Sequence, residues 1–280
     1  MVKIIECPRD AMQGIKKNIP TDKKIEYLNL LLSIGFDTLD FGSFVSPKAI
    51  PQMADTPEII DKLEESKTKL LAIIANVRGA EEACKYDKIS YLGYPFSISE
   101  TFQLRNTNST ISQSLSNVDE IQNLCVKHNK QLVVYLSMAF GNPYQDEWSE
   151  DIAVHWCGKL SERGIKIIAL SDTVGVSNQH NINLLFSSLI KSLPSVEFGA
   201  HLHTTPNTWE EKIKAAFAAG CRRFDGAIGG YGGCPMAKDE LTGNMPTEKM
   251  LKWFLSEGEN LEVDLKKIDN AGLYASSIMK

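Results

Sequence analysis

The segment Phe198-Gly199-Ala200-His201-Leu202-His203 sets two imidazoles two residues apart at the end of an apolar run. Successive side chains of a strand alternate faces, so residues i and i+2 point the same way, and two rings on one face can ligate one metal ion. The chain has only five histidines, and this pair stands directly before Thr204-Thr205-Pro206, a loop leading into a segment with a helix-capping pattern at Thr208 and Glu211. His128, His155 and His180 lie in polar contexts and are expected at the surface. Asp10 and Asn244 add oxygen donors. A mixed nitrogen and oxygen set without a thiolate suits Mg2+, Mn2+ or a similar divalent ion better than structural zinc. Such an ion would be catalytic, since a divalent cation lowers the pKa of a bound hydroxyl, as it lowers that of water from about 15.7 to roughly 7. A nearby carboxylate or imidazole could then take a proton from a substrate alcohol. Arg9, beside Asp10, offers a fixed planar cation for an oxyanion or an enolate, or alternatively a salt bridge to Glu6 or Asp40.

A second feature is Gly229-Gly230-Tyr231-Gly232-Gly233-Cys234-Pro235. Four glycines in five positions allow a loop to close over a ligand, and a thiol at its tip can reach a reacting carbon. An unperturbed thiol titrates near about 8.5, within reach of general-acid work. The same glycines could instead cradle a phosphate.

These residues need a scaffold that gathers them. Short apolar runs at 2–6, 36–41, 69–75, 87–93, 131–138, 165–171, 196–201 and 222–228 alternate with segments of helical periodicity, such as Ile25, Leu28 and Leu32 after Thr21. Eight βα units predict a (β/α)8 TIM barrel forming a single catalytic domain over residues 1–280, with a short C-terminal helical extension from Val263 to Lys280. The rival, a doubly wound open sheet, lacks the Gly-x-Gly-x-x-Gly that should follow its first strand, and no P-loop occurs. In a barrel, chemistry collects at the C-terminal ends of the strands. Glu6 to Asp10, Asp40, Asn76, Ser171-Asp172, the histidine pair and the glycine-rich loop all fall at that rim.

Composition narrows the partners. A net charge of −5, with basic clusters no longer than pairs such as Lys16-Lys17 and Arg222-Arg223, predicts no nucleic-acid partner. The absence of an apolar stretch near the roughly 20 residues that span a bilayer predicts no membrane partner, and the direct opening into Val2-Lys3-Ile4-Ile5 predicts a cytoplasmic protein. Six cysteines without a Cys-x-x-Cys pair read as reduced thiols, five of them as small core residues.

Taken together, Glu6-Cys7-Pro8-Arg9-Asp10 with Gln13, Ser43 to Lys48 followed by Pro51-Gln52-Met53, Asp172-Thr173-Val174-Gly175, the His201/His203 pair, and Gly232-Gly233-Cys234-Pro235 leading to Gly243-Asn244 resemble the 3-hydroxy-3-methylglutaryl-CoA lyase family. Order and spacing fit over nearly the whole chain. The family belongs to the DRE-TIM metallolyases, barrel enzymes that make or cleave carbon-carbon bonds through an alkoxide and an enolate. The resemblance implies Asp10, His201, His203 and Asn244 as ligands of a divalent ion (Mg2+ or Mn2+), Arg9 facing a thioester oxygen, and Cys234 delivering a proton. Asp172 would orient a ligand or the hydroxyl. Asp40 and His201 join Arg9, Cys234 and Asp172 as catalytic residues, and Gln13, Ser43 and Asn76 join Arg9 as substrate-binding ones. The implied partner is an acyl-CoA substrate, the implied assembly a homodimer or larger homo-oligomer, and the implied setting leucine degradation and ketone-body formation.

Three positions depart from the family pattern. Asp40 stands where the namesake motif has Glu, which withdraws the carboxylate by on the order of 1.5 Å, so its reach to Arg9 or the metal shell calls for a bridging water. Thr204 stands where Asp is common, and the stretch between Cys234 and Asn244 is one residue longer and more charged. The implied reaction is cleavage of 3-hydroxy-3-methylglutaryl-CoA to acetyl-CoA and acetoacetate. A relative acting on a different 3-hydroxyacyl-CoA, in either direction, and a non-catalytic CoA-binding protein are the alternatives.

Overall fold

The computed structural model describes residues 1–233 and 242–280. Eight parallel strands close on themselves: β1 (Lys3–Glu6), β2 (Thr38–Ser43), β3 (Lys69–Ile73), β4 (Ile89–Ser97), β5 (Gln131–Ser137), β6 (Ile167–Asp172), β7 (Glu197–Thr204) and β8 (Arg223–Gly226). Each pairs with its sequence neighbours, and β8 pairs with β1 to seal the barrel. A short β9 (Gly243–Asn244) runs antiparallel to β7, with Asn244 opposite His203.

The helices form the outer ring. They are α1 (Pro8–Gln13), α2 (Thr21–Leu32), α3 (Thr56–Asp61), α4 (Val77–Ala83), α5 (Glu100–Thr107), α6 (Ile111–Lys127), α7 (Glu150–Glu162), α8 (Gln179–Ser192), α9 (Trp209–Ala218), α10 (Thr247–Ser256) and α11 (Ile268–Met279). The larger core lies between strands and helices, where residues such as Leu28, Leu39, Val134, Leu170 and Phe224 are buried. Full burial of one such side chain stabilises the fold by about 1.5–3 kcal/mol. A smaller core of Leu71, Tyr91, Val133, Tyr135, Ile167 and Ala169 lies inside the barrel. The terminal helix α11 packs beside α2, with Tyr27 and Tyr274 stacked at 5.8 Å. No helix among the described residues is long and apolar enough to cross a membrane.

The TIM barrel is as the sequence predicts, but three local expectations fail. β4 does not stop at Gly93, because Tyr94, Pro95, Phe96 and Ser97 continue in register with Val134, Tyr135, Leu136 and Ser137. β3 ends at Ile73, short of Asn76, which instead caps α4 by accepting a bond from the Gly79 N–H at 2.9 Å. Thr208 does precede α9, yet makes no side-chain cap. Its hydroxyl accepts from the Thr205 N–H at 2.9 Å, so the loop consumes the group that the capping pattern assigns to the helix.

Candidate metal and acyl-binding site

The first turn of α1 carries two of the site's charges. Pro8 presets the backbone angle at the start of a helix, so the chain turns sharply out of β1 and lays Arg9 and Asp10 across the barrel mouth, both buried. The Arg9 Nε donates to Asp40 Oδ1 at 3.2 Å and Oδ2 at 3.1 Å, and Nη2 to Oδ2 at 2.6 Å. The expectation of a bridging water is thereby corrected: the shorter side chain of Asp40 makes direct, bidentate contact. On its other edge, Arg9 Nη1 donates to Asp10 Oδ1 at 3.1 Å and to Gln13 Oε1 at 2.9 Å, while Gln13 Nε2 donates to the same Asp10 oxygen at 2.7 Å. Burial raises Asp40 to about 6 against the pull of Arg9. Burial would raise Asp10 as well, but Arg9, His201, His203 and the Asn244 amide together outweigh it and hold the carboxyl near 2.

Asp10, His201 and His203 offer ligand atoms that all lie within 4.8 Å of one another. His203 Nδ1 lies 2.9 Å from the Thr173 carbonyl, which can only accept, so Nδ1 carries the proton. Burial and the neighbouring His201 lower the pKa of this imidazole, which favours the neutral ring, so its buried Nε2 is a lone-pair donor without a hydrogen-bond partner among the described residues. His201 Nδ1 meets Asp225 Oδ2 at 3.1 Å, an arrangement that turns Nε2 outward as a ligand and tunes its basicity. The orphaned Nε2, the Asp10 carboxylate and the Asp225-backed imidazole fit a divalent cation. Cys7, His201 and Asp225 form a second grouping of the same size. There, burial and the surrounding carboxylates push the Cys7 thiol far up, which disfavours the thiolate a metal needs.

Asn244 joins the cluster through β9. Its amide nitrogen donates to Asp10 Oδ2 at 2.7 Å and to the Tyr231 carbonyl at 2.8 Å. Ligation through the amide oxygen requires that side chain to turn. Thr204 donates to the Asn244 carbonyl at 3.3 Å, so it ties β7 to β9.

A cavity of about 380 Å³ opens over the cluster. Arg9, Asp10, Gln13, His201 and His203 line it, facing an apolar wall that includes Val45, Ile50, Pro95 and Phe102. Ser43 and Asn76 lie apart from this group, on a neighbouring cavity of about 480 Å³ that shares only Val45 with the first. Asp172 also turns away. Its carboxylate accepts from Lys212 Nζ at 2.7 Å and from the Ser177 N–H at 3.1 Å and its hydroxyl at 2.5 Å. Lys212 in turn donates to the His203 carbonyl at 2.8 Å, so Asp172 fixes the strand end that carries His203 rather than the imidazole itself. Cys234 lies outside the described residues.

Sequence reasoning missed Asp225, Lys212 and Tyr135. The first has a signal: in Arg223-Phe224-Asp225 the period of two puts both charges on one face of a strand, and a charged face inside a barrel has work to do. Lys212 stands among Ile213, Ala215 and Ala216 on the buried side of α9, where a lone cation needs an anion. Tyr135, edge-on to His201 with ring centroids 5.4 Å apart, carries no signal beyond its inward register.

Comparison with known proteins follows this geometry. The HMGL-like family model matches residues 2–273. The chain is 31% identical over 275 residues to the cytoplasmic 3-hydroxy-3-methylglutaryl-CoA lyase of Rattus norvegicus, covering 97% of this chain and 79% of that protein. It is 30% identical to a hydroxymethylglutaryl-CoA lyase of Bacillus subtilis, covering 97% and 91%. Among solved structures it is similar to an HMG-CoA lyase from Acinetobacter baumannii in complex with coenzyme A and 3-methylmalate, with a TM-score of 0.92, 30% identity and coverage of 100% and 91%.

Proposed function

The chain belongs to the HMGL-like family, and from that premise we propose that it is a divalent-metal-dependent carbon-carbon lyase that cleaves 3-hydroxy-3-methylglutaryl-CoA to acetyl-CoA and acetoacetate. The observation that carries this reading is the convergence of Asp10, His201 and His203 with a buried, fully paired Arg9 on the wall of one cavity. The apolar side of that cavity suits an acyl chain, and the A. baumannii relative binds coenzyme A. Cytoplasmic residence, which the name of the rat relative states for that protein, belongs to the same proposal.

Asp10, His201, His203 and Asn244 would hold the ion, which supplies Lewis acidity toward substrate oxygens when bound. Arg9 faces the thioester oxygen. Because Asp40, Asp10 and Gln13 fix its guanidinium before substrate arrives, it meets the developing negative charge without reorganising. The tertiary hydroxyl gives its proton to a carboxylate or imidazole of the wall, and the bond between carbons 2 and 3 breaks. Its electron pair becomes the enolate of acetyl-CoA, and the Cys234 thiol returns a proton to carbon 2.

Acetyl-CoA release from this thioester and from a panel of other 3-hydroxyacyl-CoA thioesters, with Mg2+ or Mn2+ and after chelation, tests the reading. Release that requires metal and favours the 3-hydroxy-3-methylglutaryl ester is expected. Cleavage of another panel member alone would reassign the substrate, a reading to which Asp40 and Thr204 lend weight. Cys234→Ser should keep metal and lose about 10²-fold or more in turnover. Near-wild-type rates in that variant would remove the thiol from the mechanism.

A further inference from the structure

Beneath the metal cluster, the lumen holds a cation with no hydrogen-bonded partner. Arg223 opens β8 and is 1% exposed, yet its Nε, Nη1 and Nη2 all lack a hydrogen-bond partner among the described residues. The nearest anion, Asp37, stands 3.9 Å from Nη1, beyond hydrogen-bond reach, and the guanidinium sits 5.6 Å from the Tyr91 ring centroid. Two more buried polar atoms nearby are equally unpartnered: the Tyr135 hydroxyl and Asp225 Oδ1.

Register explains how the three come together. Tyr135, Ala169, Gly199 and Arg223 are successive cross-strand partners from β5 to β8, and so form one row along the lumen wall. The two strands between Tyr135 and Arg223 contribute only a methyl group and a hydrogen to that row. A Cβ at Gly199 would lie 3.2 Å from Arg223 Cδ, and one at Gly93 would lie 3.0 Å from Tyr135 Cε2, so both glycines admit the larger side chains. Asp225 is two residues further along β8, on the same face and toward the cavity, where its other oxygen orients His201. The groups are chemically complementary: a guanidinium that only donates, a carboxylate oxygen that only accepts, and a hydroxyl that does both. Buried groups of this kind are satisfied by ordered water when no side chain reaches them.

We infer that the lumen between Arg223, Tyr135 and Asp225 holds a column of ordered water, anchored by the Arg223 guanidinium, which fixes the carboxylate that orients His201. Arg223 is then a positioning residue of the metal centre, acting from below. The inference rests on the assignment of Asp10, His201 and His203 to a divalent cation.

Two measurements test it. A high-resolution crystal structure of the full chain should show water oxygens at roughly 2.7–3.2 Å from the Arg223 nitrogens, the Tyr135 hydroxyl and Asp225 Oδ1. A dry lumen, with the guanidinium bonded directly to Asp37, overturns the column. Calorimetric titration of metal-free protein with Mn2+ tests the positioning role. By Coulomb's law alone, deleting a buried positive charge tightens the binding of a cation. If Arg223 positions Asp225, then Arg223→Met weakens Mn2+ binding, by about tenfold, and Arg223→Lys weakens it too, since it keeps the charge but not the planar fork. Arg223→Lys also serves if the Met variant does not fold. Unchanged or tighter binding in the folded variants overturns the role. A wild-type chain that binds neither Mn2+ nor Mg2+ would overturn the metal assignment instead, and the water sites would still decide whether the column exists.

Discussion

Arg9 and Arg223 are both buried guanidiniums in one barrel, and they are opposites. Every nitrogen of Arg9 donates to a side-chain oxygen of Asp40, Asp10 or Gln13, whereas none of Arg223 donates to any of the described residues. The rim cation is locked by neighbours before any ligand arrives, which is what stabilising a transient charge requires. The lumen cation has no hydrogen-bonded side chain among the described residues, and on the inference above it acts through water. Burial alone therefore does not say what a charge is for; the accounting of its hydrogen bonds does.

Lys212 extends the comparison as a third buried cation, paired like Arg9 but facing away from the cavity. Lys212→Met leaves the Asp172 carboxylate buried and stripped of its cation, and should cost about 3–5 kcal/mol of stability in denaturant melts. The double variant with Asp172→Asn should recover much of that loss. A double variant no more stable than the single one would show that the lysine acts through the His203 carbonyl alone.

Arg9→Gln tests the chemical side. Turnover should fall by about 10² to 10³, as when an oxyanion-hole donor is removed, while metal content and substrate affinity change less. A variant that binds metal poorly but turns over normally once saturated would make the rim arginine as structural as Lys212.

The effect spread over the widest range of conditions concerns an acid. Glu6 is fully buried, with its carboxyl accepting from Thr247 Oγ1 at 2.6 Å and the Ile228 N–H at 2.8 Å. Burial dominates these bonds and raises its pKa to about 8. A folded-state value above the unfolded one means that the folded chain holds an extra proton between about 4.5 and 8. That contribution to stability is complete below the lower value and is lost as pH rises through the upper one, with a slope of at most about 1.4 kcal/mol per pH unit. Melting curves of Glu6→Gln should be flatter than wild type across that window. Parallel curves would place the ionised carboxylate in the native state throughout.

Much of this was legible before any coordinates, for a physical reason. Strand and helix periods are written in the order of apolar residues, and the His201/His203 spacing needs only the strand's period to imply a shared face. Partner choice was not legible. Asp172 and Asn76 sit at the rim as their positions imply, but an acceptor is claimed by whichever donor lies nearest in space. Lys212 reaches Asp172 from a helix 40 residues on, and Asn76 is taken by its own helix. Arg223 and Asp225 read as ordinary strand charges until the register shows that they face the lumen.

The seam where β1 meets β8 binds residues far apart in the order of synthesis. Asp10 and Asn244 are 234 positions apart, and Glu6 and Thr247 are 241 apart. On a ribosome, Arg9, Asp10 and the two histidines are made before Asn244 is added, and contacts of such sequence separation form late. The Asp10–Asn244 contact is thus made only as the eighth βα unit docks. A chain truncated before Gly243 should bind Mn2+ more weakly than the full one, which makes ion affinity a readout of whether β9 is in place.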